Sequence, residues 1–301
     1  MALQKEKLLD TKLITETSMS TGEVITYEKN IYDEQIHREN IKHILNEKEI
    51  HQYINQQIGN FFFCFYKTLD NLNIDDQYKV RFIYLSSFLD YNNEELIDKS
   101  TGKKVKLDYY NLMSYLKLSK REFLYTLKEL VSNKLMFEQD GFYILNTKYC
   151  IKGNNKNITN DCARIFIDSI RSLYLNTLPR NHKQLYRFFK LLPYVNKQHN
   201  IITENVDEEV FEYIKPMSMR DICNKLGVTE HQYSRTFKSL SNFMIGDEYV
   251  ISQHKVSNIE TYCINPKLYY MGSEKDSLDF LIKLFSSARV NSCPHNIHCV
   301  G

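Results

Sequence analysis

The stretch "LSKREFLYTLKELVSNKLM", residues 118–136, carries the pattern on which the predicted fold depends. Its apolar residues Phe123, Leu127 and Leu130 recur at spacings of three and four, which places them on one face of a helix. A shorter helical pattern, "NLMSYL" at 111–116, comes directly before it. The stretch therefore predicts two helices joined by a tight turn, a helix-turn-helix.

The chain contains this pattern a second time, at 217–246, as "MSMRDICNKLGVTEHQYSRTFKSLSNFMIG". Six apolar positions of 107–136 match it at a constant offset. The matched pairs are Leu112 with Ile222, Leu116 with Leu226, Leu118 with Val228, Phe123 with Tyr233, Leu127 with Phe237, and Leu130 with Leu240. Fixed-period self-similarity is the signature of repeated structural units. We therefore expect two copies of one fold.

The repeat extends in both directions. Upstream, "RFIYLSSFLD" (81–90) matches "RFFKLLPYVN" (187–196), and "FCFYKTLDNL" (63–72) resembles "RIFIDSIRSL" (164–173). Downstream, "FYILNTKYCIKG" (142–153) matches "TYCINPKLYYMG" (261–272). These matches predict a unit of two helices, a short extended segment, two more helices and a pair of strands.

Capping residues mark the turn within each helical pair. Gly227 suits the left-handed position that ends a helix, and Lys117 takes its place in the first copy. Ser119 and Thr229 are predicted to cap the second helices. Glu122, three residues after Ser119, completes the pattern of a capping box.

Strand signals follow each helical pair. "LMFEQDGFYILN" (135–146) has an Asp-Gly turn between two apolar runs, a strong hairpin signal. "FMIGDEYVISQHKVSNIETYCIN" (243–265) is interpreted as one longer hairpin. A helix-turn-helix followed by a β-hairpin is a winged helix, and the chain resembles winged-helix proteins of the MarR-like and plasmid-replication (RepL-like) kind over 60–155 and 160–273.

This resemblance implies a mainly α fold with small β-hairpin wings (α+β), built from two tandem winged helix-turn-helix domains. The expected segments are a hairpin and helical arm (1–59), a first domain (60–158), a second domain (159–273) and a C-terminal helix with its tail (274–301). In such domains the second helix of each pair enters the major groove of double-stranded DNA and the wing touches the flanking backbone.

The predicted DNA contacts follow from that geometry, because Arg, Lys and Gln can bind base edges or phosphate. The candidates are Ser119, Lys120, Arg121, Tyr125 and Lys128 in the first copy, Thr229, His231, Gln232, Ser234, Arg235 and Lys238 in the second, and Lys103, Lys104, Arg180 and Lys183 in basic tracts. The alternative is an ordinary solvated helix face, since Glu122, Glu129 and Glu230 are interspersed. A winged helix can also be a protein-interaction module without DNA binding.

Three basic tracts, 99–106, 148–157 and 180–200, support the DNA hypothesis, and the last has no acidic residue. Binding to phosphate by such patches releases counterions and depends steeply on salt. Acidic stretches such as "TENVDEEVFEY" (203–213) balance them, so the net charge is only +2. Abundant Tyr, Asn, Lys and Ile with little Gly and Pro indicate an AT-rich coding sequence, as in low-GC bacteria and their phages and plasmids.

The sequence predicts no enzyme and no cofactor. It contains no Gly-rich phosphate loop, and His295 and His298 have the wrong spacing for the metal ligands of rolling-circle initiators. The tail "NSCPHNIHCVG" (291–301) offers Cys293, His295, His298 and Cys299, but an unstructured end is favoured over a zinc site. A non-catalytic transcriptional regulator or replication initiator is therefore expected.

The remaining segments suggest location and assembly. The chain has no apolar run long enough for a bilayer and its N-terminus has no signal-peptide core, so we expect a cytoplasmic protein without membrane contact. Residues 13–28 are predicted as a hairpin around Ser-Thr-Gly and 33–62 as helical. The helices at 33–62 and 273–288, the latter with Ser273 as cap, are candidates for homodimer contacts or for packing within the chain.

Overall fold

The computed structural model describes residues 8–17, 24–32, 34–91, 93–100, 102–153, 162–256 and 259–291. The chain folds as two compact units, Met1–Gln56 and Gln57–Gly301. Within the described residues no helix is both long and apolar enough to cross a membrane. The fold is a mixture of helices and small antiparallel sheets, in agreement with the predicted α+β class.

The first unit contains a hairpin and most of a long helix. Strands β1 (Leu8–Thr17) and β2 (Val24–Tyr32) pair antiparallel, which confirms the predicted hairpin. The Ser-Thr-Gly segment proposed as its turn lies outside the described residues. Helix α1 spans Glu34–Gln57 and ends before the predicted boundary at 62. Gly59, at φ +117°, lies between this helix and the next strand.

The second unit contains nine further helices among its described residues. They are α2 (Tyr66–Asp70), α3 (Asp76–Ser86), α4 (Tyr109–Leu116), α5 (Lys120–Ser132), α6 (Ile167–Asn176), α7 (His182–Phe189), α8 (Met219–Lys225), α9 (Tyr233–Ser241) and α10 (Lys275–Asn291). Single 3-10 turns occupy Pro179–Asn181, Leu192–Tyr194, Phe211–Tyr213 and Glu230–Gln232.

The strands of this unit are short. They are β3 (Phe61–Cys64), β4 (Ile97–Asp98), β5 (Val105–Lys106), β6 (Met136–Gln139), β7 (Phe142–Leu145), β8 (Cys150–Ile151), β9 (Ala163–Phe166), β10 (Met244–Ile245), β11 (Glu248–Tyr249), β12 (Ile251–Val256) and β13 (Ile259–Ile264). Four two-stranded hairpins (β4–β5, β6–β7, β10–β11, β12–β13) accompany one three-stranded sheet in the order β8–β3–β9.

Each predicted helical pair is present and is followed by strands. Asp140 and Gly141 both have positive φ, at +54° and +80°, as a two-residue type I′ turn between β6 and β7 requires. The prediction of a single long hairpin at 243–265 is wrong. The chain forms two successive hairpins there, because Gly246, at φ +56°, turns it back after only two residues of β10.

One hydrophobic core runs through the second unit and takes side chains from both copies of the repeat. Phe82 and Phe123 from the first copy belong to it together with Phe188 and Ile222 from the second, all fully buried. The most extensive helix packing in the unit joins α3 to α7. The two copies are therefore packed against each other.

Helix α10 packs on the second copy, as the within-chain alternative predicted. Phe285 is buried against Ile201 and Cys263, the latter on β13. The helix starts at Lys275, two residues beyond the predicted cap Ser273. The backbone N–H of Ser273 donates to Gln198 Oε1 at 3.2 Å.

Candidate nucleic-acid interface

The turn of the first helical pair has the predicted geometry with one exception. Lys117 adopts the left-handed conformation at φ +50°, and Ser119 Oγ accepts the backbone N–H of Glu122 at 3.3 Å. The predicted capping box does not form. The Glu122 carboxylate lies instead 3.7 Å from Nη2 of the buried Arg81, which draws it away from the helix N-terminus.

The exposed face of α5 combines positive charge with an aromatic ring. Lys120, Arg121, Leu124, Tyr125 and Lys128 line a surface hollow of about 520 Å³. The Arg121 guanidinium lies 5.7 Å from the centre of the Tyr125 ring. Among the described residues none of the three cations has an ion-pair partner. The structure thus brings together four of the predicted contacts and adds Leu124.

The acidic residues of α5 lie away from this face. Glu122 is directed towards Arg81 on α3, and Glu129 is half-buried with Oε2 3.4 Å from Nδ2 of Asn133. In the described part of the chain, Glu122 and Glu129 therefore form no ion pair with Lys120, Arg121 or Lys128.

The second helical pair differs at its turn. Gly227 is left-handed at φ +66°, as predicted, but Thr229 makes no capping hydrogen bond with its side chain. Its Oγ1 lies 3.4 Å from Nε2 of His231 instead. A 3-10 turn, Glu230–Gln232, follows, so His231 and Gln232 precede α9 and do not lie on it.

All six predicted contacts of the second copy are exposed. Ser234, Arg235 and Lys238 lie on α9 itself. The only acid nearby in sequence, Glu230, is 3.8 Å from Nη2 of Arg220, and both side chains are exposed. This face is less basic than that of α5.

The predicted lysines of the 99–106 tract belong to a different part of the surface. Lys104 and Lys99 on the β4–β5 hairpin donate to the buried carboxylate of Asp90 at 2.8 and 2.6 Å. Burial alone would raise the pKa of Asp90, but these hydrogen bonds outweigh it and hold the pKa well below its usual range. Lys106 pairs with Glu95 at 2.6 Å, which leaves Lys103 without an ion pair in the described part of the chain.

Arg180 lies on the 3-10 turn before α7, Lys183 lies in the first turn of α7, and both are exposed. Lys183 Nζ is 3.9 Å from the Asp75 carboxylate at the start of α3. No contact seen among the described residues joins these two cations, or Lys103 and Lys104, to the exposed faces of α5 or α9.

The tips of the hairpins differ in charge. The β6–β7 hairpin presents exposed Glu138 and Asp140, whose carboxylates would repel phosphate. The β12–β13 hairpin is mixed in charge near its tip, where exposed Lys255 stands directly opposite exposed Glu260. The first wing is therefore poorly suited to the phosphate contact predicted for it.

Sequence reasoning missed a pair of hydrogen bonds that hold the second helix of each pair. Arg81 on α3 donates from Nη1 to Thr126 Oγ1 on α5 at 2.7 Å, and Arg187 on α7 donates to Thr236 Oγ1 on α9 at 3.3 Å. We call these the Arg–Thr tethers. A signal was present, because both arginines and both threonines occupy matching positions of the repeat. Arg187 also lies in the basic tract 180–200, a pattern that predicts phosphate binding instead.

The first tether is buried beside a histidine. Arg81 is 1% exposed, and its Nε lies 3.4 Å from His182 Nδ1. Burial, and then the positive charge of Arg81, lower the pKa of His182 to about 4, although a contact with the Thr177 carbonyl opposes this. The imidazole is therefore neutral at pH 7.

The structure offers no metal centre among the residues it describes, where no cluster of three or more His, Cys, Asp or Glu side chains could hold an ion. The candidate ligands of the tail, Cys293, His295, His298 and Cys299, lie outside the described residues.

In comparisons with known proteins, no protein-family model, curated protein or solved structure matches this chain.

Proposed function

We propose that the protein is a non-catalytic, double-stranded-DNA-binding protein built from two winged helix-turn-helix units, with α5 and α9 as recognition helices. It would act in the cytoplasm as a transcriptional regulator or replication initiator of phage or plasmid type. The observation that carries this proposal is the exposed face of α5, where Lys120, Arg121, Tyr125 and Lys128 line one hollow and the three cations have no ion pair among the described residues.

The charge arrangement supports nucleic acid as the ligand. Three cations on one helix face can each neutralise a phosphate or contact guanine, and the mixed basic and aromatic surface suits a base edge. The second helix contributes Arg235 and Lys238, both exposed. The net charge of +2 does not oppose this, because acidic residues are concentrated in other segments, such as 203–213.

A second candidate function is protein interaction. It is favoured by the apolar part of the same face, since Leu124 is 46% exposed and Tyr125 is 50% exposed. Exposed aromatic and aliphatic side chains beside arginine are typical of protein interfaces. The two functions differ in their dependence on salt.

Salt-titrated binding of a fluorescent duplex of random sequence distinguishes the two functions. We expect measurable affinity at low salt, with the logarithm of the binding constant falling linearly against the logarithm of salt concentration. The double variant Lys120→Ala/Arg121→Ala should reduce the slope by about 0.9 for each phosphate that the protein no longer neutralises. Lys283→Ala, which removes an exposed cation on α10, serves as the matched control.

The proposal fails if the double variant and Arg235→Ala bind the duplex with the affinity and salt slope of the wild type. Nicking of supercoiled plasmid in the presence of divalent metal would contradict the non-catalytic part of the proposal.

A further inference from the structure

The two copies of the repeat are joined by a strand pair that has internal twofold symmetry. The end of β3 and most of β9 lie in the matching segments 63–72 and 164–173, in which Phe63 corresponds to Arg164. In the antiparallel register Phe63 stands directly opposite Arg164. A residue facing its own counterpart across an antiparallel pair is the arrangement that a twofold axis produces.

The pairings at the two outer edges of this sheet have the same twofold relation. On one side Cys64 of β3 pairs with Cys150 of β8, and on the other Ile165 of β9 bridges to Tyr269. Cys64 corresponds to Ile165 in the repeat, and Cys150 corresponds to Tyr269. Both pairings thus occur at matching positions on opposite sides of the axis.

The helices next to the sheet follow the same symmetry. α3 and α7 end within the matching segments 81–90 and 187–196, and the two helices pack against each other. Tyr84 of α3 stacks on Tyr174 of α6 with ring centres 3.9 Å apart. Its counterpart Lys190 lies 4.0 Å from Asp70 at the end of α2, the helix that corresponds to α6. Reciprocal crosswise contacts of this kind are typical of an isologous interface.

The Arg–Thr tethers extend the symmetry to the second helices of the pairs. Each is fixed to its own central helix, α5 to α3 and α9 to α7, by matching residues. A twofold relation between α3 and α7 therefore applies also to α5 and α9.

We infer that one chain binds one pseudopalindromic duplex, an inverted repeat with two different half-sites, as a dimer of a single winged helix would. The inference rests on the proposed function. Two helices related by a twofold axis perpendicular to DNA meet the duplex in opposite senses, so the sites they recognise are inverted with respect to each other. The half-sites differ, because at the constant offset of the helical pairs Arg121 and Tyr125 of the first copy correspond to His231 and Arg235 of the second.

Selection of bound sequences from a duplex pool with a randomised core, using the full chain, tests this inference. We expect an inverted repeat with unlike halves. Native mass spectrometry of the selected duplex should show one chain per duplex. Reversing one half to give a direct repeat should reduce affinity at least about tenfold, since each mismatched base pair costs about 1–3 kcal/mol.

Repeating the selection with variants assigns the halves. Arg121→Ala should relax base preference in one half and Arg235→Ala in the other, each with little effect on the opposite half. Lys283→Ala should select the same sequence as the wild type.

Several results would overturn the inference while leaving DNA binding intact. These are selection of a direct repeat or a single half-site, two chains on one inverted repeat, two duplexes on one chain, or both variants relaxing the same half. Failure to bind any duplex at low salt would overturn the proposed function together with the inference.

Discussion

The buried Arg–Thr tether predicts a difference between two matched substitutions. Thr126→Val keeps the shape of the side chain but removes the oxygen that accepts from Arg81 Nη1 at 2.7 Å. Thr236→Val makes the same change at the matching position of the second copy, where the distance to Arg187 is 3.3 Å. Both threonines are buried, and the two sites differ in the arginine and in a second hydrogen bond, since Thr126 Oγ1 also donates to the Glu122 carbonyl within α5 at 2.7 Å.

The magnitude follows from the exposure of the two guanidinium groups. Arg81 is 1% exposed, and its Nη2 already lacks a hydrogen-bond partner among the described residues. Because the guanidinium is buried, water cannot replace the Thr126 hydroxyl as an acceptor. A hydrogen bond to a buried charged group is worth about 1.5–3 kcal/mol, so Thr126→Val should lower the free energy of unfolding by that amount. Arg187 is only half-buried and can bind water, so Thr236→Val should cost less than about 1 kcal/mol.

Urea unfolding measures both costs. Far-ultraviolet circular dichroism and tyrosine fluorescence are suitable probes, since the chain has 22 tyrosines and no tryptophan. Coincident transitions would justify a two-state treatment. Thr126→Ser keeps the hydroxyl group and serves as the control, with only the loss of a buried methyl expected.

An equal loss of unfolding free energy for Thr236→Val and Thr126→Val would refute the role assigned to burial of Arg81. The role assigned to the tether is also refuted if Thr126→Ser is as destabilising as Thr126→Val, because the hydroxyl would then contribute nothing.

Three further predictions concern single residues. The pKa of His182 is lowered from 6.5 to about 4. The stability that this neutral imidazole contributes is therefore complete above pH 6.5, and about 3 kcal/mol of it is lost as the pH falls towards 4. Urea midpoints at several pH values should show this loss for the wild type and a smaller one for His182→Gln. Lys117→Gly should raise the thermal midpoint, because glycine removes the cost of the left-handed conformation, roughly 1 kcal/mol. Gly227→Ala introduces a similar cost and should lower the midpoint. Equal shifts of the midpoint in one direction would contradict this. Asp90→Asn should lower the free energy of unfolding by about 1–3 kcal/mol at pH 7, because it removes the charged acceptor of Lys99 and Lys104. Calorimetry should find a smaller loss as the pH falls below the ordinary carboxyl pKa of 3.8, because the pKa of Asp90 is lowered in the folded protein.

Local elements could be predicted from the sequence because their determinants lie within a few residues. The spacing of Phe123, Leu127 and Leu130 specifies a helix face, Ser119 and Gly227 mark helix ends, and Asp140-Gly141 specifies a tight turn. Each of these features is present in the structure. The repeat could be detected for the same reason, because short patterns of apolar residues match at a constant offset.

Boundaries failed where one residue changed the path of the chain. Gly246 closes a short hairpin that the pattern at 243–265 did not separate from the next one. Thr229 has a capping residue's chemistry, but a 3-10 turn follows it and its side chain makes no capping hydrogen bond.

Charge was the property that sequence alone described least well, because the role of an ionisable side chain depends on what packs against it. Lys104 and Arg187 stand in basic tracts, yet the first donates to buried Asp90 and the second holds α9 through Thr236. The chain by itself determined two copies of a helical pair with strands. Only the tertiary structure decided that Phe63 meets Arg164 across a twofold axis, since strand pairing between distant segments depends on which apolar faces are buried together and not on local pattern.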